Sequence, residues 1–164
     1  MSKDLETDSR ALRDALGCFG TGVTVVTTLD AQGDPVGLTA NSFTSVSLDP
    51  ELLLVCLSRA SRSTPHFLEA DSFAVNVLHV GQKDIAQRFA TREGDRFENT
   101  ACESWSTGVP ILTDSLANFE CRKYAEHDGG DHIILVGHVL GVRYEAEYDP
   151  LLYFRGGYRE LHLY

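Results

Sequence analysis

The chain has 164 residues, with 14 Lys and Arg against 24 Asp and Glu, giving a formal net charge of −10. That length suits one domain with its own buried core, and 43% hydrophobic with 23% charged residues is neither a disordered nor a fibrous composition. The acidity excludes a non-specific hold on nucleic acid or anionic lipid, where Lys and Arg supply the affinity, but not a small phosphorylated ligand met by a local donor cluster.

Residues 1–10 are polar and lack the apolar core of a signal peptide. They are expected to be a flexible segment ahead of a single domain over residues 11–164. No run approaches the roughly 20 apolar residues of a membrane span. A cytoplasmic protein is expected, with no membrane and no nucleic-acid partner. Ser9 is placed to cap a first helix through Ala11, Leu12, Ala15 and Leu16, ended by Gly17 or Gly20. Residues 23–29 (VTVVTTL) are β-branched and predict a strand, residues 30–35 a tight turn, and residues 36–43 the returning strand of a hairpin. Asp49-Pro50 marks another turn before residues 52–57, which are apolar enough for a strand buried on both faces.

Thr64 before Pro65 predicts a helix start with a capping hydroxyl, running to Ala70. Residues 72–78 read as a strand, 82–90 as a second short helix, and 92–110 as irregular. Two long strands, 116–126 and 132–144, flank the Gly-containing loop 127–131, a hairpin signal. Residues 151–154 give a last strand. The fold class is mainly β, an antiparallel β-barrel with two or three short helices. Strands and helices do not alternate, and neither GxGxxG nor a P-loop is present, which disfavours a Rossmann domain.

Catalytic signatures are sparse. Cys18, Cys56, Cys102 and Cys121 form no CxxC, and Cys56 lies in the apolar run as a reduced, buried thiol. The six histidines make no HExxH, no GxSxG is present, and no carboxylate pair stands out as acid and base. No metal site is expected.

Two polar stretches carry more. Residues 39–47 (TANSFTSVS) are rich in hydroxyls and hold one amide but no charge. Such groups suit the rim of a planar heterocycle such as a pyrimidine-dione, and they equally suit a Ser/Thr-rich turn. Residues 58–65 (SRASRSTP) lead into a helix start with two arginines and several hydroxyls, groups suited to a phosphate or to an ordinary N-cap. Because one strand separates them, the two stretches can flank one barrel mouth. Together they read as a mononucleotide site whose polarity fits flavin mononucleotide. Gly129-Gly130-Asp131-His132 adds a hairpin tip that a second ligand can approach, or a plain tight turn with a surface His.

Further motifs then fall in order: Gly20-Thr21-Gly22-Val23-Thr24, Gly37-Leu38-Thr39-Ala40-Asn41-Ser42-Phe43, Ser63, Gly130-Asp131-His132 and Tyr153-Phe154-Arg155-Gly156-Gly157-Tyr158. In these the chain resembles the short-chain flavin reductases of the FMN-binding split-barrel superfamily, the reductase components of two-component flavin-dependent monooxygenases. The resemblance runs from about residue 11 to 161. It implies a homodimer of split β-barrels with Greek-key strands, binding FMN or FAD near the subunit interface and using NADH or NADPH as co-substrate. By this resemblance Thr39, Ala40, Asn41 and Ser42 contact the isoalloxazine. Cys56, Leu57, Ser58, Arg59, Ala60, Ser61, Arg62 and Ser63 hold the ribityl chain and phosphate, and Phe89 lies near the flavin. Asp131 and His132 belong to the Gly-Asp-His motif that binds NAD(P)H, with Tyr158 on the nicotinamide side. No catalytic acid or base is implied, since hydride passes between stacked rings held in place and away from water. The implied activity is an NAD(P)H:flavin oxidoreductase that supplies reduced flavin to an oxygenase. The alternatives are a barrel with permanently bound flavin acting on another small substrate, and a non-catalytic flavin- or haem-binding barrel.

Overall fold

A computed structural model describes residues 8–162. Most of the expected flexible segment, residues 1–7, therefore lies outside the described residues. Helix α1 (Ser9–Leu16) begins at Ser9, but its cap is one residue earlier than expected. The Asp8 carboxylate accepts from the Arg10 and Ala11 backbone N–H groups, satisfying donors that the helix leaves open. Gly17 ends it, as expected.

The body of the fold is an antiparallel sheet of seven strands. In chain order these are β2 (Thr24–Leu29), β3 (Pro35–Ala40), β4 (Thr44–Leu48), β5 (Glu51–Ser58), β6 (Ser72–Val77), β9 (Ala117–Gly129) and β10 (His132–Tyr144). They lie side by side as β3-β2-β6-β9-β10-β5-β4. Short strands β1 (Thr21–Gly22), β11 (Leu152–Phe154) and β12 (Gly157–Arg159) form a second sheet, and β7 (Cys102–Ser104) pairs with β8 (Pro110–Leu112). Helix α2 (Thr64–Glu69) follows β5; a 3₁₀ turn, Val80–Gln82, leads into α3 (Lys83–Ala90). No helix among the described residues is long and apolar enough to cross a membrane.

The sheet curls on itself. Val36 and Leu38 of β3 pack into the same core as Leu53, Val55 and Leu57 of β5, although these strands stand near opposite ends of the sheet. Phe67, Phe73 and Leu135 fill the space between. The end strands β3 and β4 are not hydrogen-bonded to each other, so the barrel stays split along that seam. A second core on the outer side packs Ala86 and Phe89 of α3 against Val23, Val25 and Leu78. Helix α3 is thereby fixed beside the open seam.

Several sequence expectations are corrected. Strand β5 alternates rather than being buried on both faces: Leu53, Val55 and Leu57 are buried, whereas Leu52, Leu54, Cys56 and Ser58 are half-buried. The polar residues from Thr44 to Leu48 form an edge strand, not a turn, because β5 offers them a ladder. The irregular 92–110 region contains β7 and the start of β8, and Arg155-Gly156 turns the chain back into β12. The β9–β10 loop shrinks to Gly130-Asp131, where Gly130 takes φ +74° in a region that favours glycine. Thr64 opens α2 but does not cap it; its hydroxyl donates to Ser58 O at 2.6 Å.

Candidate active site

At the seam, the end of β3, the end of β5, the loop into α2, the C-terminal end of α3 and the tip of β10 meet around a cleft of about 390 Å³. It brings together Thr39, Ala40, Asn41, Ser42, Cys56, Ser58, Ala60, Ser61, Arg62, Phe89 and His132, most of the residues expected from sequence. Leu57, Arg59, Ser63 and Asp131 do not line it. Strand alternation turns Leu57 into the core, where it is fully buried, and Arg59 turns outward toward the β9–β10 hairpin. Tyr158 also lies away from the cleft, edge-on to Tyr153 with ring centroids 5.6 Å apart.

The rim is uncharged on one side. Ser42 Oγ donates to Cys56 O at 2.7 Å and accepts from the Cys56 N–H at 3.0 Å, clasping β5 to the loop after β3. Thr39 Oγ1 donates to Ala86 O at 2.6 Å, joining β3 to α3. Burial pushes the Cys56 thiol up from its ordinary value, so it stays protonated and neutral at physiological pH. The wall beneath is Phe89, fully buried and edge-on to Phe97 at 4.9 Å.

Part of the lining is cationic. Arg62 and Arg92 line the cleft, and neither has a hydrogen-bond or ion-pair partner among the described residues. Arg96 lines it too, but its guanidinium is engaged: Nη1 donates to Gly37 O at 2.6 Å and to Ser63 Oγ at 3.1 Å, while Nε donates to Thr91 O at 3.0 Å. It braces the loop that carries Arg92. Sequence reasoning missed Arg92 and Arg96 because they fall in the 92–110 stretch read as irregular. Their spacing of four in Thr91-Arg92-Glu93-Gly94-Asp95-Arg96 was the available signal.

The expected anion site at the start of α2 changes character. The N–H groups of Ser61, Thr64 and His66 donate to Ser58 O, Ser61 O and Ser63 O, and that of Ser63 reaches Ser61 Oγ. With those donors engaged, the anion-binding capacity rests on the Arg62 and Arg92 side chains. Ser63 itself is buried and serves as acceptor for Arg96.

His132, opposite Ser58 in the β5–β10 ladder, also lines the cleft; it is half-buried, with Nδ1 2.7 Å from Asp131 Oδ1. The His132 hydrogen bond holds the exposed Asp131 carboxyl below its ordinary value. An ionised carboxylate only accepts, so Nδ1 carries the proton and Nε2 is left to meet a ligand. Among the described residues no group of three His, Cys, Asp or Glu side chains is placed to hold a metal ion.

The fold and cleft thus define a split antiparallel barrel whose seam offers a neutral rim, an aromatic wall and two free guanidiniums. Comparison with known proteins gives the family. The family model described as flavin reductase like domain matches residues 16–162. The chain is 46% identical over 151 residues to the FMN reductase (NADH) SmoA of Agrobacterium fabrum, covering 92% of this chain and 85% of that protein. It is 50% identical over 151 residues to a probable flavin reductase of Rhizobium meliloti, covering 92% of this chain but 48%, about half, of that longer relative. Its fold superposes with a TM-score of 0.91 on the Streptomyces globisporus NADH:FAD oxidoreductase SgcE6 in complex with NAD and FAD fragments, at 34% identity over 98% of both chains. The chain belongs to the flavin reductase-like domain family.

Proposed function

We propose that this chain, read as one domain over residues 11–164, is an NAD(P)H:flavin oxidoreductase that transfers hydride from NADH or NADPH to FMN or FAD. The observation that carries this reading is the meeting, in one cleft, of the neutral 39–42 rim, the free Arg62 and Arg92 guanidiniums and His132, whose ring Asp131 holds from outside the lining. A flavin fits these groups. Its dione edge matches the hydroxyl and amide groups, and Phe89 offers an apolar wall. Gly37 keeps that wall in place, because a Cβ there would stand 2.7 Å from Phe89 Cε1. When bound, the flavin supplies the hydride acceptor.

The protein's part is orientation. The Asn41 amide meets the ring edge, with the Thr39 and Ser42 hydroxyl oxygens left only to accept from its N–H; Ser58 and Ser61 meet the ribityl chain, and Arg62 with Arg92 neutralises the phosphate. His132 receives the nicotinamide nucleotide through Nε2, accepting from an amide N–H when neutral and donating to a phosphate oxygen when protonated. No side chain needs to move a proton at the reacting atoms, since hydride passes directly between the two rings. The named activity of SmoA, FMN reduction by NADH, supports this reading.

The flavin reductase component BorF of a two-component tryptophan halogenase and the reductase subunit HsaB of a flavin-dependent monooxygenase support a further step, release of reduced flavin to an oxygenase partner. A homodimer, which the family resemblance implies, would give cover to apolar side chains left open in one chain, among them Phe19, Tyr144 and Leu48 at 79%, 75% and 89% exposed. Four free cysteines fit a reducing, cytoplasmic setting. The test is nicotinamide oxidation by purified, dialysed protein under argon, with each of NADH and NADPH paired with each of FMN and FAD. Turnover that requires added flavin supports the proposal. Flavin binding without turnover overturns it, and flavin retained through dialysis refutes the role as supplier.

A further inference from the structure

We infer that Arg59 is a positioning residue for nicotinamide nucleotide binding, acting through His132 by clamping the β9–β10 hairpin tip. The inference rests on the role proposed above for His132. Arg59 is the first residue beyond β5, whose last residue, Ser58, sits opposite His132 in the ladder. Its backbone continues that ladder by one rung, the Arg59 N–H donating to Asp131 O at 2.9 Å. Its guanidinium then takes hold of the other side of the turn. Nε donates to Gly130 O at 2.8 Å, and Nη2 meets Asp128 Oδ1 at 2.6 Å.

Three contacts from one residue therefore hold residues 128, 130 and 131, while the Asp131 carboxylate in turn fixes the His132 ring. Nothing else among the described residues ties this tip to the sheet from the β5 side beyond Ser58. A two-residue turn at the end of two 13-residue strands has few packing contacts of its own, so its orientation depends on such ties. The planar fork suits the geometry: two donors diverge to a carbonyl and a carboxylate that a single ammonium cannot reach in the same way. Held against the hairpin through Nε and Nη2, Arg59 is turned away from the cleft that Arg62, three residues on, lines.

The test is a double-mutant cycle in steady-state kinetics on the full chain, varying NADH at saturating FMN and FMN at saturating NADH. Arg59→Ala is expected to raise the NADH KM by about tenfold with kcat and the FMN KM little changed, the pattern of lost positioning for binding alone. In a His132→Ala background the same substitution should add nothing, because the clamp then has no ring to orient. Arg59→Lys should recover less than half of the loss and carries the test if Arg59→Ala does not fold. A full Arg59→Ala effect persisting on top of His132→Ala overturns the inference, as does an unchanged NADH KM in Arg59→Ala. If His132→Ala itself leaves the NADH KM unchanged, the underlying assignment of His132 fails and the inference with it.

Discussion

Ser42 faces Cys56 two rungs beyond the last pair of the β4–β5 ladder, and it continues that ladder with its side chain. The ladder matches Thr44 with Leu54, two residues away on each strand, and β4 begins at Thr44. At Ser42 the chain has already turned toward β3, yet its hydroxyl still satisfies both the N–H and the C=O of Cys56. One small side chain thus closes the strand end and aligns the two sequence segments that form the cleft.

Removing that hydroxyl leaves a half-buried backbone N–H unpaired. Ser42→Ala is expected to cost about 1–3 kcal/mol of unfolding free energy. Urea denaturation followed by circular dichroism measures it, and FMN affinity should fall in parallel. Unchanged stability together with unchanged affinity would show that the clasp has no role.

Gly37 is needed for space rather than for backbone freedom. A Cβ there would lie 2.7 Å from Phe89 Cε1 and 3.2 Å from Phe97 Cζ, and the two rings already pack edge to face. Gly37→Ala should therefore displace Phe89 from the cleft wall and cost roughly 1–3 kcal/mol through overpacking. A Gly37→Ala, Phe97→Leu double variant should recover part of the loss, read by thermal melting and by fluorescence titration of FMN. No recovery would locate the strain elsewhere, most directly at Phe89 alone.

Glu120 makes stability depend on pH. It is only 2% exposed, and that burial would raise its pKa. Hydrogen bonds from Thr107 Oγ1, the Thr107 N–H and Ser106 Oγ, at 2.7, 2.8 and 2.7 Å, outweigh burial and hold the carboxyl below its ordinary value. A depressed folded-state pKa contributes stability that is fully present above the unfolded value, about 4.3 for Glu, and is lost as pH falls through the folded one. Glu120→Gln should thus be less stable than wild type by a constant amount from pH 8 down to about pH 5, with the gap shrinking below that. Urea denaturation across that range decides it. A gap that widens on acidification would reverse the sign of the argument.

The fold class and most of the strands were legible because period-2 patterns, Gly and Pro punctuation and β-branched runs are local signals. What was not legible depends on partners distant in sequence. Residues 44–48 look like a turn until β5 supplies a ladder, and the half-buried outer face of β5 cannot be told from a core strand by composition. At the site, residues 39–42 and 58–63 carried a readable donor pattern. The outward turn of Arg59 and the bracing role of Arg96 did not, since both are set by which loop each guanidinium can reach. Leu57 was placed in the site by segment and removed from it by strand alternation.

The proposed assignment gives the cleft two separable ends, a flavin phosphate end at Arg62 and Arg92 and a nicotinamide end at His132. The most direct measurement is the pair of Michaelis constants, for FMN and for NADH, in an Arg62→Ala, Arg92→Ala double variant and in His132→Ala. Loss of the arginine–phosphate bonds or of the His132 contact corresponds to a rise of about tenfold or more. The arginine variant should raise the FMN constant and spare that for NADH, and His132→Ala should do the reverse. Both variants raising both constants alike would contradict the assignment.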